Sequence, residues 1–174
     1  MPMKEDIILV NEQDQAVGQC EKHRAHELGL CHRAFSVFIF RRVDQGLEVL
    51  LQKRQATKYH SAGLWTNTCC GHPRPGETIV VAAERRLREE MGFSVSLMEV
   101  GVFHYQASLH ENMIENEIDH VLMGLYNNEV IDPNEKEVME FRWADVEALQ
   151  TNSADYTVWF DQALKIALDC HSAA

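Results

Sequence analysis

Between residues 65 and 93 the chain carries a thiol, an imidazole, arginines and glutamates at fixed intervals, the ingredients for holding a metal diphosphate beside a reactive sulfur. Cys70, Gly71, His72 and Pro73 come first, then Gly76 and Glu77, then Arg85, Arg86, Glu89, Glu90 and Gly92. From Gly71 the spacing reads G-x5-E-x7-R-x3-E-E-x-G, closed by the apolar Phe93. Magnesium takes hard oxygen ligands and commonly bridges one or two carboxylates to substrate phosphates. That chemistry suits Glu90. A guanidinium meets phosphate oxygens through paired N–H groups, so Arg86 reads as a direct clamp on the diphosphate. The adjacent cysteines leave a choice: successive residues of a strand face opposite ways, so one is a packing residue and the other is free to react.

These groups need a helix and a set of strand ends to hold them. From 78 to 91 the apolar residues Val80, Ala83, Leu87 and Met91 recur every three or four positions, predicting an amphipathic helix stopped by Gly92. Arg85 and Glu89, and Arg86 and Glu90, stand four apart on its polar face; on an ordinary surface such pairs are worth roughly 0.3 to 0.5 kcal/mol each. Residues 7–10 and 17–20 read as short strands, and 33–41 as a longer one. The latter turns at 44–46 into a second arm, 47–54, followed by a loop at 55–64 that holds Lys58, Tyr59 and His60. Strands follow near 99–107 and 117–125, separated by a turn rich in His110, Glu111 and Asn112, and another precedes Trp143. Helices are expected at 144–150 and 158–170. With no repeat and no linker, residues 1–174 read as one mixed α/β domain, its core about 30–170, with the N-terminal strands and a ligand-bearing loop at 1–32.

At 174 residues, 45% of them hydrophobic, the chain suffices for one domain with a core. The net charge of −11 argues against nucleic acid or an anionic membrane as partner. The N-terminus lacks an apolar signal core, and no apolar run approaches the roughly 18 residues that span a bilayer. Five irregularly spaced cysteines, Cys20, Cys31, Cys69, Cys70 and Cys170, point to a reducing, cytoplasmic setting where free thiols do chemistry.

The G-x5-E-x7-R-x3-E-E-x-G pattern resembles the box of the Nudix superfamily, with one departure. Where that box carries a glutamate after its arginine, this chain has Arg86, which exchanges a metal ligand for a phosphate contact and favours keeping the diphosphate intact. Residues 65–73, Trp-Thr-Asn-Thr-Cys-Cys-Gly-His-Pro, joined to this box and to Glu115-Asn116-Glu117, resemble the type I isopentenyl diphosphate isomerases from about residue 21 to 159. The resemblance implies a Nudix-like mixed β-sheet sandwiched between helices. It selects Cys70 as the reactive thiol and leaves Cys69 to the core.

By the same resemblance His26, His32, His72, Glu115 and Glu117 hold a manganese, magnesium or zinc ion, with Cys70 within the same ligand set. A Mg2+ ion accompanies the diphosphate near Glu90. The segment between His26 and His32 is one residue shorter than the family's pattern. Glu115 and Glu117 stand two apart entering a strand, so both side chains leave one face and can share a cation. The diphosphate of a prenyl substrate falls to Lys22, Arg54, Lys58 and Arg86. Cys70 and Glu117 exchange protons with the substrate from opposite faces; the sequence does not decide which donates, and Glu117 is assigned as donor and Cys70 as acceptor. Tyr105 hydrogen-bonds Glu117, and Trp159 covers the tertiary carbocation in a dry pocket. His60, His104, His110, His120 and His171 are left as surface or packing residues, and Trp65 and Trp143 as helix core. The chain is expected to act as a monomer or homodimer. The competing expectation is a Nudix diphosphatase that splits a nucleoside or prenyl diphosphate, for which Cys70 is dispensable.

Overall fold

The computed structural model describes residues 5–58, 60–109, 112–151 and 153–173. The expected turn residues His110 and Glu111, and Tyr59 of the 55–64 loop, lie outside them. In chain order the elements are β1 (Asp6–Val10), β2 (Ala16–Glu21), α1 (Lys22–Leu28), β3 (His32–Val43), β4 (Gly46–Arg54), β5 (Trp65–Thr66), β6 (Cys69–Gly71), α2 (Ile79–Met91), β7 (Met98–Ser108), β8 (Ile114–Leu125), β9 (Val138–Asp145) and α3 (Phe160–Ala173). No helix among the described residues is long and apolar enough to cross a membrane.

One mixed sheet organises the molecule. Its axis is the parallel pair β3 and β8, in register from His32 opposite Glu117 to Phe40 opposite Leu125. On the other side of β3, β6 pairs with 35–37 and β4 with 40–43, both antiparallel. Strand β7 lies antiparallel to β8 with Tyr105 opposite Glu117, and β9 flanks β4.

Burial on both faces explains why β3 reads as a continuous apolar run rather than an alternation. Phe35, Val37 and Ile39 point to one face and pack with Leu122 against Ala83, Leu87 and Met91 of α2. Phe38 and Phe40 point to the other and meet Phe160, Ala163, Leu164 and Ala167 of α3. Each such side chain contributes about 1.5–3 kcal/mol by leaving water. The sheet is thus sandwiched between helices, as expected.

Helix α2 begins where Thr78 Oγ1 accepts the N–H of Val81 at 3.3 Å. It ends at Gly92, whose φ of 74° suits a residue without a side chain. A Cβ there would lie 2.1 Å from the carbonyl oxygen of Asp132.

The structure departs from expectation at several places. Residues 144–150 form no helix: Ala144 and Asp145 finish β9 and the chain continues in turns. Val146 and Leu149 pack at the rim of the α3 core. Trp143 lies inside β9 and Trp65 inside β5, so neither is a helix residue. Each indole carries a guanidinium on its face, Arg41 at 4.1 Å from Trp143 and Arg142 at 4.5 Å from Trp65. Helix α1 is an addition. The Glu21 carboxylate accepts the N–H groups of His23 and Arg24, and Gly29 closes the other end at φ 67°. This short helix, rather than a loop, carries His26.

Candidate active site

The outer ends of β3, β6, β7 and β8 and the polar face of α2 surround a cavity of about 100 Å³. Lys22, Arg54, Lys58 and Arg86 line it together with Cys70, His72, Glu90, Tyr105, Glu115, Glu117 and Trp159. His26 and His32, both fully buried, reach it from behind through the glutamates. The structure therefore brings together every residue singled out from the sequence.

At one end the imidazoles converge on carboxylates. Glu117 Oε1 lies 3.1 Å from His32 Nε2, 3.3 Å from His72 Nε2 and 3.9 Å from His26 Nε2. These four ligand atoms all lie within 4.8 Å of one another. The ring orientations are set locally. His26 Nδ1 lies 2.8 Å from the Lys22 carbonyl one helical turn back, and His32 Nδ1 lies 2.8 Å from that of Leu30. Each tether directs Nε2 inward, the arrangement that a hydrogen-bonded acceptor on the other ring nitrogen gives to metal-binding histidines. Burial, with His72 nearby, pushes the His26 imidazole down to about 4, so it is neutral at pH 7.

The two glutamates respond to each other. Burial raises both, but hydrogen bonds from His32 and His72 outweigh it at Glu117 and hold that carboxyl well below the usual range. At Glu115 burial and the charge of Glu117 act together and push it well up. Two buried carboxylates side by side, faced by imidazole nitrogens, form a donor set that suits a positive charge. The residues fit a divalent ion. Cys70 belongs to neither metal-competent group, although it had been expected among the ligands.

Tyr105 O–H donates to Glu115 Oε2 at 2.6 Å and to Glu117 Oε2 at 3.1 Å, which follows from the register of β7 against β8. Across the cavity Cys70 S–H donates to Asn67 Oδ1 at 3.2 Å. Burial and the neighbouring Asp119 push this thiol up to about 12. Cys69, pointing the opposite way, is fully buried in the α2 core. Trp159, just before α3, donates its Nε1–H to the same Asn67 oxygen at 3.1 Å. Asn67 itself is held by its amide group to the carbonyls of Val37 and Cys69. One buried amide thus fixes both the thiol and the indole.

At the opposite end the cations are already matched by carboxylates. Arg86 meets Glu90 at 3.0 Å and Glu137 at 2.7 Å, and Lys58 meets Glu137 at 3.2 Å. Lys22 pairs with Glu5 at 3.1 Å. The Arg86 to Glu90 pair is not a surface contact, because Glu90 is buried. Burial raises the Glu90 carboxyl despite Arg86, and among the described residues its Oε2 has no hydrogen-bond partner. That orphaned oxygen fits a hard cation. Neighbouring Arg85 has a structural task, pairing with Glu77 at 2.8 Å and Glu89 at 3.3 Å to lash the 72–78 turn to α2. Gly71 has no room for a side chain: a Cβ would sit 2.8 Å from the Phe35 ring.

Several site residues escaped the sequence reading. His60, expected on the surface or in packing, is 7% exposed and lies 3.4 Å from Glu115 Oε1 through Nε2. Ser61 beside it has φ of 52°, a conformation costing a non-glycine residue roughly 1–2 kcal/mol. Asp119 continues the Glu115, Glu117 face of β8 and accepts the Ser36 hydroxyl at 2.8 Å; Ser36 Oγ lies 4.0 Å from Cys70 Sγ. The two-residue period of β8 signals Asp119. Nothing in sequence signals Glu137, which arrives from 51 residues beyond Arg86.

The NUDIX domain family model matches residues 31–163. Isopentenyl-diphosphate Delta-isomerase 2 of Photorhabdus laumondii is 49% identical over 93% of this chain and 92% of its own length. The isopentenyl-diphosphate Delta-isomerase of Serratia proteamaculans is 47% identical over 94% and 91%. Among solved structures, DR0079 from Deinococcus radiodurans superposes with a TM-score of 0.71 over 96% of this chain and 99% of that one. At 20% identity it attests the fold alone. With the fold, the modified box and near-full-length relatives in agreement, the chain belongs to the isopentenyl-diphosphate Delta-isomerase family of NUDIX-domain proteins.

Proposed function

We propose that the cavity interconverts isopentenyl and dimethylallyl diphosphate by moving one proton onto the alkene and taking another from the allylic position. The observation that carries this reading is Cys70 and Glu117 lining one cavity, the glutamate backed by three imidazoles and the thiol beside an indole. An alkene is a weak base, so its protonation needs a strong donor, an opposed acceptor and exclusion of water from the tertiary carbocation. Trp159 offers a ring face for that charge.

Lys22, Arg54, Lys58 and Arg86 bind the diphosphate, and Glu90 contributes a carboxylate to its Mg2+. His26, His32, His72, Glu115 and Glu117 hold a second ion, manganese, magnesium or zinc, which supplies fixed positive charge beside Glu117. Tyr105 orients the two glutamates. All these groups come from one chain, so the reaction needs no partner subunit. A thiol at Cys70 suits a reducing, cytoplasmic setting.

The environment sets the resting protonation of the pair. The sequence leaves the direction of transfer open, with Glu117 assigned as donor. Burial keeps the proton on Cys70, and the imidazoles keep it off Glu117. At rest the proton therefore sits on Cys70, a weak acid, and the direction of transfer is read from the pH profile. A forward rate that stays level from pH 7 to 10 would mark the protonated thiol as donor, because a thiol raised to about 12 remains protonated there. A tenfold rise per pH unit would instead mark a thiolate base.

The direct test is incubation with isopentenyl diphosphate in heavy water, followed by NMR. Dimethylallyl diphosphate carrying deuterium is the expected product. Release of inorganic phosphate without allylic isomer would establish a diphosphatase.

A further inference from the structure

The histidine and carboxylate centre contains more imidazole than the resemblance accounts for. Beside the group of His26, His32, His72 and Glu117 stands a second, His26, His60 and Glu115, whose ligand atoms also lie within 4.8 Å of one another. We propose that His60 is a fourth imidazole ligand of a single centre, and that this nitrogen-rich set selects a transition ion over magnesium. The inference rests on reading the cluster as a metal centre.

Orientation is the first support. His60 Nδ1 lies 3.2 Å from Ser61 Oγ and its Nε2 3.4 Å from Glu115 Oε1. His26 and His32 follow the same rule, with Nδ1 tethered to an oxygen and Nε2 aimed at a glutamate. An octahedral ion at about 2.1 Å from its ligands holds adjacent donor atoms roughly 3.0 Å apart and opposite ones roughly 4.2 Å apart. The His60 to Glu115 and His26 to Glu115 separations, 3.4 and 4.0 Å, fall in that range.

Sharing is the second. His26 belongs to both groups, and its Nδ1 is committed to the Lys22 carbonyl. Its Nε2 has one lone pair and binds one ion, so the groups are not two independent sites. The His60 ring is stacked on His26 at 5.5 Å and set edge-on to Trp159 at 6.2 Å. Arg54 Nη2 donates to the His60 carbonyl at 3.3 Å, fixing the backbone from which the ring projects. A loop residue left to solvent needs none of these restraints.

Chemistry then assigns the ion class. Magnesium retains waters and oxygen ligands, whereas imidazole suits zinc and its first-row neighbours. Four nitrogens and two carboxylates fill six positions with protein groups. Such a centre has no vacancy for substrate and acts by its charge on Glu117.

The test is metal binding by the full-length protein. Zinc titration of wild type and of His60→Gln should show at least tenfold weaker zinc binding in the variant, with magnesium affinity changed less than threefold. X-ray absorption of the zinc-loaded wild type should count four imidazoles, and of His60→Gln three. A count of three in wild type, or equal zinc affinity in both proteins, overturns the proposal while leaving the three-histidine centre standing. Should His60→Gln fail to fold, the wild-type count decides alone. Failure of wild type to bind zinc, cobalt or manganese would remove the centre itself.

Discussion

The two ends of the cavity handle charge in opposite ways. At the box end each lysine, and Arg86, already holds a carboxylate of the same chain: Lys22 with Glu5, Lys58 with Glu137, Arg86 with Glu90 and Glu137. At the histidine end two buried carboxylates face a cluster of imidazoles, and burial with the charge of Glu117 drives Glu115 toward protonation. A diphosphate entering the first end exchanges one anion for another, so its net gain is smaller than the sum of its contacts. A cation entering the second end cancels a repulsion and satisfies donors held ready for it. On the proposed function, binding at the box end would be readily reversible, while the histidine end would keep its ion.

The largest effect should come from the groups that span this divide. Cys70→Ala and Glu117→Gln should each lower kcat by on the order of 10³-fold or more, with an unchanged circular dichroism spectrum. Near-normal turnover in either would remove that residue from the mechanism. Chelation followed by dialysis should abolish activity slowly, because the histidine end is buried, and added metal should restore it. Arg86→Gln should raise KM about 10- to 100-fold, the value of one or two charged hydrogen bonds. Glu137→Gln tests the contrast most directly. By freeing Arg86 and Lys58 from an internal anion it should lower KM by about two- to fivefold, and an increase would mean that Glu137 aligns the cations rather than competing for them.

The smallest effects concern the scaffold of the box. Thr78→Ala should cost about 1 kcal/mol of stability in thermal unfolding, by removing the α2 cap. Hydrogen bonds from Arg85 hold the Glu77 carboxyl below its usual range. The stability it adds is present above the unfolded value near 4.5 and is lost as pH falls through the lower folded one. Glu77→Gln should therefore melt slightly below wild type at pH 7, with the gap closing in acid.

Much of this was legible in the chain. Helix α2 announced itself because its apolar period, its Thr78 start and its Gly92 stop agree. The helix expected at 144–150 is not formed, because Ala144 and Asp145 are already paired to β4 as the end of β9. Helix α1 went unseen because seven residues hold too few periods to stand out. Cys70, Glu117 and the cations were found through a motif whose spacing is demanding. His60 was passed over because loop conformation sets its direction, and a left-handed Ser61 leaves no periodic trace. Glu137 was invisible because its meaning lies in a contact made only by folding.

The register of the central strands carries a further consequence. His32, Glu117 and Tyr105 sit directly opposite one another on β3, β8 and β7, a single row drawn across three strands. Loss of one residue from any of these strands would turn that strand's contribution to the opposite face of the sheet while leaving helices and composition nearly untouched. Length variation in this family should therefore collect in the connecting loops, and metal capture by a newly folded chain should report that the strands have docked in the right alignment.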